Sequence, residues 1–505
     1  MKKIKILFLV IILASFLLAA CTNGEESSEY EETGYDTSYE LEEGNEFDEI
    51  EENDYDTADS GDELVSNEAS ENHIAAFEPP DWLAHIQITE GTRNIMLEDF
   101  DYLTRAMLES APTLGVFERR FGGSMEGTLV AIRHVIYSIE PVGTANHAED
   151  QLSAAAHLSR LFDWFATSVR GLGHFGILPL VFYMDFLESF SALLHQSEII
   201  DGRAFLDGEE AGDERIFRDF VERISSEETL RFYGVDLAEL NLYRDVLQMG
   251  FHMDGNVRTE IIAEDQIAYL RIQSFINNGA FDSAVLFPFF QQVQNFEHLI
   301  IDLRGNGGGY ANYFTNYIIA MLIDDPIEVR LTEFVTAGDD ALREVAFSQE
   351  WSIRGPETAE EILLASDFVN QQQFSHFNEA DLDFLQYVVR WHSVIEPRPD
   401  NIPFSGEIWL LVDQRSASAS ELAAMQSISS GFATVVGTHT AGITPTMAAF
   451  VVLPNTGILF RIDMGYMIDE FGRSMEEFGV PPDIIIEPGF DALEVVLDLI
   501  ARGVE

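Results

Sequence analysis

Two periodicities divide the chain. Between residues 96 and 170 apolar positions recur at helical spacing: Leu97, Phe100, Leu103, Met107 and Leu108, then Leu158, Leu161, Phe162 and Phe165 within the run Leu152 to Val169. Side chains three and four apart share one helix face, so this spacing predicts amphipathic helices. The turn Gly171-Leu172-Gly173-His174-Phe175-Gly176 breaks the pattern. Residues 183–248 read as helical again, with acidic loops around Asp207–Asp213 and a stop near Gly234.

After residue 265 the pattern shortens. Gln266 to Phe275 alternates as a strand and Phe281 to Asn295 reads as a helix. Leu299 to Leu303 is a continuous apolar strand that enters a glycine-rich turn, and Tyr310 to Ile323 is the next helix. Ile408 to Val412 predicts another buried strand, Ser418 to Ser429 a helix, and Ala433 to Val436 a strand. Ala449 to Leu453 and Gly457 to Ile462 alternate like a hairpin around Pro454-Asn455-Thr456-Gly457. Strands alternating with helices place this half in the α/β class. Residues 324–405, mostly polar and aromatic, form an insertion with no assigned elements.

Composition changes the picture at the N-terminus. Met1-Lys2-Lys3-Ile4-Lys5 precedes an apolar run from Ile6 to Ala14, then Ser15 to Ala20 ending in small residues, the layout of a secretory signal. Leu18-Ala19-Ala20-Cys21 resembles a bacterial lipobox, which implies lipid on Cys21; a secreted chain with a free thiol is the plainer alternative. Cys21 is the sole cysteine, so no internal disulfide forms. Residues 21–78 are packed with acidic and small polar residues and predict a disordered, charge-extended tether. A formal net charge of −60 argues against nucleic acid as a partner and against electrostatic attachment to anionic lipid. Membrane contact is therefore assigned to the lipid on Cys21, and the protein to the outer side of a bacterial cytoplasmic membrane.

Two motifs carry chemistry. Asp302-Leu303-Arg304-Gly305-Asn306-Gly307-Gly308-Gly309 runs from a strand through glycines into a helix, which presents backbone N–H groups at a positive helix end. It lacks the Lys-Ser/Thr of a P-loop and the spacing of a dinucleotide fingerprint. Asp302 and Arg304 are read as a pair that holds the turn. The second motif, Ser416-Ala417-Ser418-Ala419-Ser420-Glu421, sits at another strand-to-helix junction, where a serine would ordinarily cap the helix. No metal-ligand spacing is present, and neither metal nor cofactor is expected.

Together these motifs resemble the tail-specific (C-terminal processing) serine peptidases, in a form similar to the histidine-using, tricorn-core-like branch. Ile267-Ala268-Tyr269-Leu270-Arg271-Ile272, Gly437-Thr438-His439-Thr440-Ala441-Gly442 and Gly479-Val480-Pro481-Pro482-Asp483 extend the resemblance over about residues 265–488. It implies a ClpP/crotonase-like β/α spiral core preceded by an α-helical N-terminal domain. The resulting division is a signal segment 1–20, a tether 21–78, a helical domain with a helical insertion 79–264, a catalytic core 265–490 containing the 324–405 insertion, and a C-terminal helix 491–505.

The resemblance also implies roles: Ser418 as nucleophile, the N–H groups of Gly308 and Ala419 as oxyanion donors, His174 as general base, and Glu476 as a supporting polar group. Where lysine-using relatives carry their base, this chain has Ile443, and its lysines are confined to Lys2, Lys3 and Lys5. The expected enzyme type is accordingly Ser–His, with a Ser–Lys dyad excluded; His439 is the rival base, and a site without a base is the third option. Residues 183–260 lack the pattern of a PDZ domain. The expected function is a lipid-anchored extracytoplasmic peptidase acting on polypeptides through an acyl-enzyme. The alternative is an inactive lipoprotein of peptidase fold that binds a peptide or another ligand. Oligomeric state is not legible.

Overall fold

The computed structural model describes residues 75–169, 171–180, 182–184, 187, 198–200, 203–206, 209–235, 255–276, 279–336, 359–487 and 489–503. The signal segment, Cys21 and the acidic tether up to residue 74 lie outside the described residues, as do 236–254 of the helical insertion and 337–358 of the later one. Among the described residues no helix is long and apolar enough to cross a membrane.

After a short 3-10 helix at Asp81–His85, four α-helices follow: α1 (Glu90–Ser110), α2 (Leu114–Phe121), α3 (Met125–Ser138) and α4 (His147–Ser168). Their starts follow from local chemistry. Thr89, Ser124 and Asn146 each accept a hydrogen bond from a first-turn N–H, and Asn146 forms a reciprocal capping box with Glu149. The predicted apolar face is the buried one, with Phe100, Leu103, Met107, Leu158, Leu161, Phe162 and Phe165 all in the core.

A short strand β1 (Phe175–Ile177) follows the Gly171–Gly173 turn. The next stretch corrects the helical reading of 183–248: β2 (Glu198–Ile200), β3 (Arg203–Leu206) and β4 (Glu209–Asp213) form an antiparallel three-stranded sheet before α5 (Glu214–Ile224) and α6 (Glu227–Tyr233). The overlooked sequence signal is the pair of Asp-Gly dipeptides, 201–202 and 207–208, each between two short strands. Two-residue Asp-Gly connections favour tight hairpins. Gly234 ends α6 in the left-handed conformation, at the predicted stop.

The second half supplies β5 (Val257–Ala263), β6 (Ile267–Ile272), α7 (Gly279–Val293), β7 (His298–Asp302), β8 (Ile327–Val335), β9 (Ala359–Leu364), α8 (Ala365–Gln372), β10 (Tyr387–Ile395), β11 (Glu407–Val412), α9 (Ala419–Ser430), β12 (Thr434–Gly437), β13 (Ala448–Val452), β14 (Leu459–Asp463), β15 (Gly465–Met467), α10 (Met475–Phe478), β16 (Ile484–Ile485) and α11 (Ala492–Arg502). The central sheet has six strands in the order β16-β12-β11-β7-β6-β5, parallel except for the antiparallel edge strand β5. Alternate side chains serve its two faces: Leu299 and Ile301 pack with α7 and α9, whereas Ile300, Trp409 and Leu411 pack with Ala492 and Val496 of α11. Burial on both faces is why these strands read as continuous apolar runs.

Two further antiparallel sheets complete the unit. The insertion 324–405 is not structureless: β8, β9 and β10 join β15 in the order β15-β8-β10-β9. The predicted hairpin exists as β13 and β14, and β14 pairs on its other side with β1. Helices α1 to α4 share a core with Val451, Phe460 and Ile462 of that hairpin.

This topology corrects the expected ClpP/crotonase-like β/α spiral. An open six-stranded sheet with an antiparallel edge stands beside two separate antiparallel sheets, one of them built largely from the insertion. Apolar periodicity specifies which segments are strands, but pairing is decided by side-chain complementarity between segments far apart in sequence. The spiral is implied by the resemblance of the motifs, which does not fix strand pairing.

Candidate active site

Both motifs leave the carboxyl ends of neighbouring parallel strands. β7 runs into the glycine turn, β11 runs into Ser416–Ser418, and the two strands are paired in register from Glu407↔His298 to Leu411↔Asp302. In open α/β sheets this is where backbone N–H groups and helix N-termini converge on one crevice. The Ala417 N–H donates to Asn306 O at 3.0 Å, and Leu303 N–H to Leu411 O at 2.9 Å, so the motifs are stitched together directly.

Ser418 occupies a sharp strand-to-helix elbow. Its φ of 56° and ψ of −120° are left-handed for a residue with a side chain, a conformation that costs about 1–3 kcal/mol and persists only where its surroundings enforce it. Its N–H donates to Ile443 O at 3.0 Å and to Glu421 Oε2 at 2.9 Å. The strain lifts Oγ out of the turn, as in a nucleophile elbow.

His174 stands opposite. Its Nε2 lies 3.0 Å from Ser418 Oγ, and its Nδ1 lies 2.9 Å from Asp463 Oδ2, which also accepts the His174 backbone N–H at 2.6 Å. A carboxylate can only accept, so the proton sits on Nδ1, and Nε2 is left to accept from the serine hydroxyl. Arg461 holds the other carboxylate oxygen, Asp463 Oδ1, at 2.9 to 3.0 Å. The Asp463 side chain is 3% exposed and that of His174 21%. Burial pushes the imidazole below its ordinary value of 6.5, with the Arg461 charge acting in the same direction and Asp463 opposing. The ring is therefore neutral, and able to take a proton, at neutral pH. Asp463 itself is held below the usual carboxylate value: burial acts to raise it, but Arg461 and His174 outweigh burial.

The backbone explains the glycines before His174. Gly173 has φ +82°, and a Cβ there would meet Asp463 Oδ2 at 2.8 Å. Gly171 has φ +87°, with the Arg120 guanidinium and Ala441 O about as close to a Cβ position, and its carbonyl accepts from Arg120 Nη1 at 2.6 Å. The Gly173 N–H donates to Gly442 O, which ties the histidine turn to the segment after the nucleophile helix.

The glycine turn abuts the elbow. A Cβ on Gly308 would lie 2.8 Å from Ser418 Cβ and 2.9 Å from Ala419 N. The Ala419 N–H, first in α9, has no hydrogen-bond partner among the described residues, as a waiting oxyanion donor requires. The Gly308 N–H, by contrast, donates to the Asn306 side-chain oxygen at 2.8 Å. Asp302 and Arg304 pair through two side-chain contacts of 2.8 and 2.9 Å, as read from the sequence, and Arg304 also reaches Asp491, the N-cap of α11.

Two buried carboxylates flank the elbow. Glu476 accepts from Thr444 Oγ1, from Met467 N–H at 3.2 Å and from Ser474 Oγ at 3.3 Å; its hydrogen bonds do not reach Ser418 or His174. Burial raises its pKa well above the usual carboxylate range. The carboxylate that orients the histidine is Asp463, which sequence reasoning missed. Glu421 accepts from Ser418 N–H, Ile443 N–H, Gly442 N–H and Thr440 Oγ1. Burial pushes it up to about 7, against the four donors. Because the folded value lies above the unfolded one, its contribution to stability declines as pH rises from the carboxyl range toward 7. His439, the rival base, places Nδ1 2.8 Å from Phe478 O and has no hydrogen bond to Ser418.

Comparison with known proteins gives a partial match. No curated protein matches the chain. Among solved structures it is similar to mature CPAF (15% identity over 82% of this chain and 96% of that chain, TM-score 0.42) and to the photosystem II D1 C-terminal processing protease (14%, 80% and 94%, TM-score 0.34). It is also similar to a lipoprotein from Streptococcus agalactiae (15%, 65% and 98%, TM-score 0.31). Residues 266–486 match the family model described as Peptidase family S41. This match replaces the β/α-spiral expectation with the architecture of that family. It also corrects the enzyme type read from the sequence: the matched family is known for a Ser–Lys dyad, so the family match does not give a Ser–His type, and a role for His174 rests on the geometry of this chain alone. The stretch 266–486, which carries the glycine turn, the Ser418 elbow, Asp463 and both buried glutamates, thus has the serine-peptidase fold of Peptidase family S41.

Proposed function

We propose that this protein hydrolyses polypeptides outside the cytoplasmic membrane, with Ser418 as the attacking group. The observation that carries this reading is the 3.0 Å approach of His174 Nε2 to Ser418 Oγ, with Asp463 on the other ring nitrogen. As the hydroxyl attacks a peptide carbonyl, His174 takes its proton and the Asp463 carboxylate stabilises the imidazolium. The Ala419 N–H faces the developing oxyanion. Gly308 N–H is the second donor once it turns from, or is shared with, Asn306. His174 then protonates the leaving amine, and water, deprotonated in turn by His174, resolves the acyl-enzyme. Glu476 supports the site indirectly, through Thr444.

One observation favours the second reading, a ligand-binding protein that performs no turnover: the Gly308 N–H is already satisfied by Asn306. A serine-directed phosphonate separates the two. Covalent addition mapped to Ser418, together with hydrolysis of an unfolded polypeptide, is expected; absence of both from pH 5 to 9 would leave the binding reading standing.

Anchoring through lipid on Cys21 belongs to the same proposal. Cys21→Ala is expected to move the protein from the membrane pellet to the soluble fraction, and undiminished recovery in the pellet would remove the anchor from the reading.

A further inference from the structure

We propose that Glu421 is a positioning residue: its ionised carboxylate clamps the strained Ser418 backbone to the 440–443 turn, so reactivity at Ser418 requires two deprotonated groups, Glu421 and His174. The inference rests on the hydrolytic reading of Ser418 and concerns the regulation of that same site by pH.

The geometry carries it. The four donors to Glu421 come from two separate segments. Ser418 N–H belongs to the elbow, whereas Thr440 Oγ1, Gly442 N–H and Ile443 N–H belong to the turn between β12 and β13. Ile443 closes the loop from the other side, because its carbonyl accepts from the same Ser418 N–H. The one side-chain-bearing residue of this site with positive φ is therefore held by a ring that runs through Glu421. Three of the four partners are amide N–H groups, which cannot accept. A two-oxygen acceptor matches them all; an added carboxyl proton could be accepted only by Thr440 Oγ1, which already accepts from Val480 N–H at 2.7 Å and would have to give up its own donation to Glu421.

The charged surroundings leave this switch intact. α9 carries no other titratable side chain. From α10, Glu476 faces Glu421 as a like charge, itself shifted toward the protonated form by burial, and Glu477 is paired with Arg119 at 2.7 Å. His439 lies on the same turn as Thr440 but is bonded to Phe478 O. Through Ser418 the group faces His174, whose ring is held by Asp463 with Arg461 behind it. Among the described residues no cation pairs with Glu421, so hydrogen bonds alone favour its anion, and burial sets its titration at about 7.

The test is the rate of phosphonate addition to Ser418 in the full chain from pH 5 to 9, read by intact mass. With two groups required, the wild-type rate falls by about 100-fold per pH unit below both midpoints. In Glu421→Gln the limb becomes that of one proton, about tenfold per unit, on a lowered plateau, because the amide nitrogen now faces a donor. Thr440→Val removes a donor that favours the anion and moves the upper midpoint to higher pH; it carries the test alone if Glu421→Gln does not fold. A two-proton limb and full plateau retained in Glu421→Gln would overturn the inference, as would a one-proton wild-type limb that Thr440→Val does not move. Absence of wild-type labelling at every pH would instead overturn the hydrolytic reading and this inference with it.

Discussion

His174→Ala is expected to reduce hydrolysis on the order of 10⁴-fold or more, as much as Ser418→Ala, and the double variant no further than either alone. The two side chains act as one unit. Without an acceptor at Nε2 the hydroxyl must lose its proton to water at a pH far below its own pKa, so the remaining serine adds little. Folding should survive, because Asp463 keeps its contact with Arg461 when the imidazole is gone. The measurement is kcat/KM for the two single variants and the double, alongside the thermal midpoint. Near-normal hydrolysis by His174→Ala, with loss in His439→Ala, would move the base to the turn after the nucleophile helix.

Asp463→Asn is expected to lower kcat by roughly 10³- to 10⁴-fold with little change in KM, the scale seen when a histidine is forced into its unproductive tautomer. Arg461 decides the direction. It donates to Oδ1, so the asparagine oxygen must stay on that side and its NH₂ must face His174. There it meets Nδ1 and the backbone N–H that now donate to Oδ2. An amide donor against Nδ1 drives the ring proton to Nε2, where it points at Ser418 and blocks acceptance. A structural role alone would lower the thermal midpoint without this separation of kcat from KM. A loss of less than tenfold would mean that Asp463 does not orient the ring.

Asp463 also shows why part of the site escaped sequence reasoning. It ends strand β14 with no motif around it, in a chain with 88 acidic residues. What brings it to His174 is the pairing of β1 with β14, in which Phe175 lies opposite Ile462, two segments almost 290 positions apart. β1 has only three residues and follows a glycine turn, so it left no periodic signal. Glu476, which the resemblance implies as a supporting polar group, accepts from Thr444, a contact between positions 32 apart that no local pattern announces. Asn306 has no distinguishing signal within the glycine turn, yet its side chain holds the Gly308 N–H.

By itself the sequence determined the parts whose signal is local. The amphipathic helices, the buried parallel strands, the Asp302–Arg304 pair, the glycine turn and the strand-to-helix junction at Ser416–Glu421 each follow from patterns local to their segment. Tertiary structure alone decided which parts meet: the separate antiparallel sheets in place of a spiral, Asp463 behind His174, and Glu421 bridging the elbow to the turn that holds Ile443. The physical reason is that local propensity acts along the chain, whereas strand register and the satisfaction of buried carboxylates are settled only when distant segments pack.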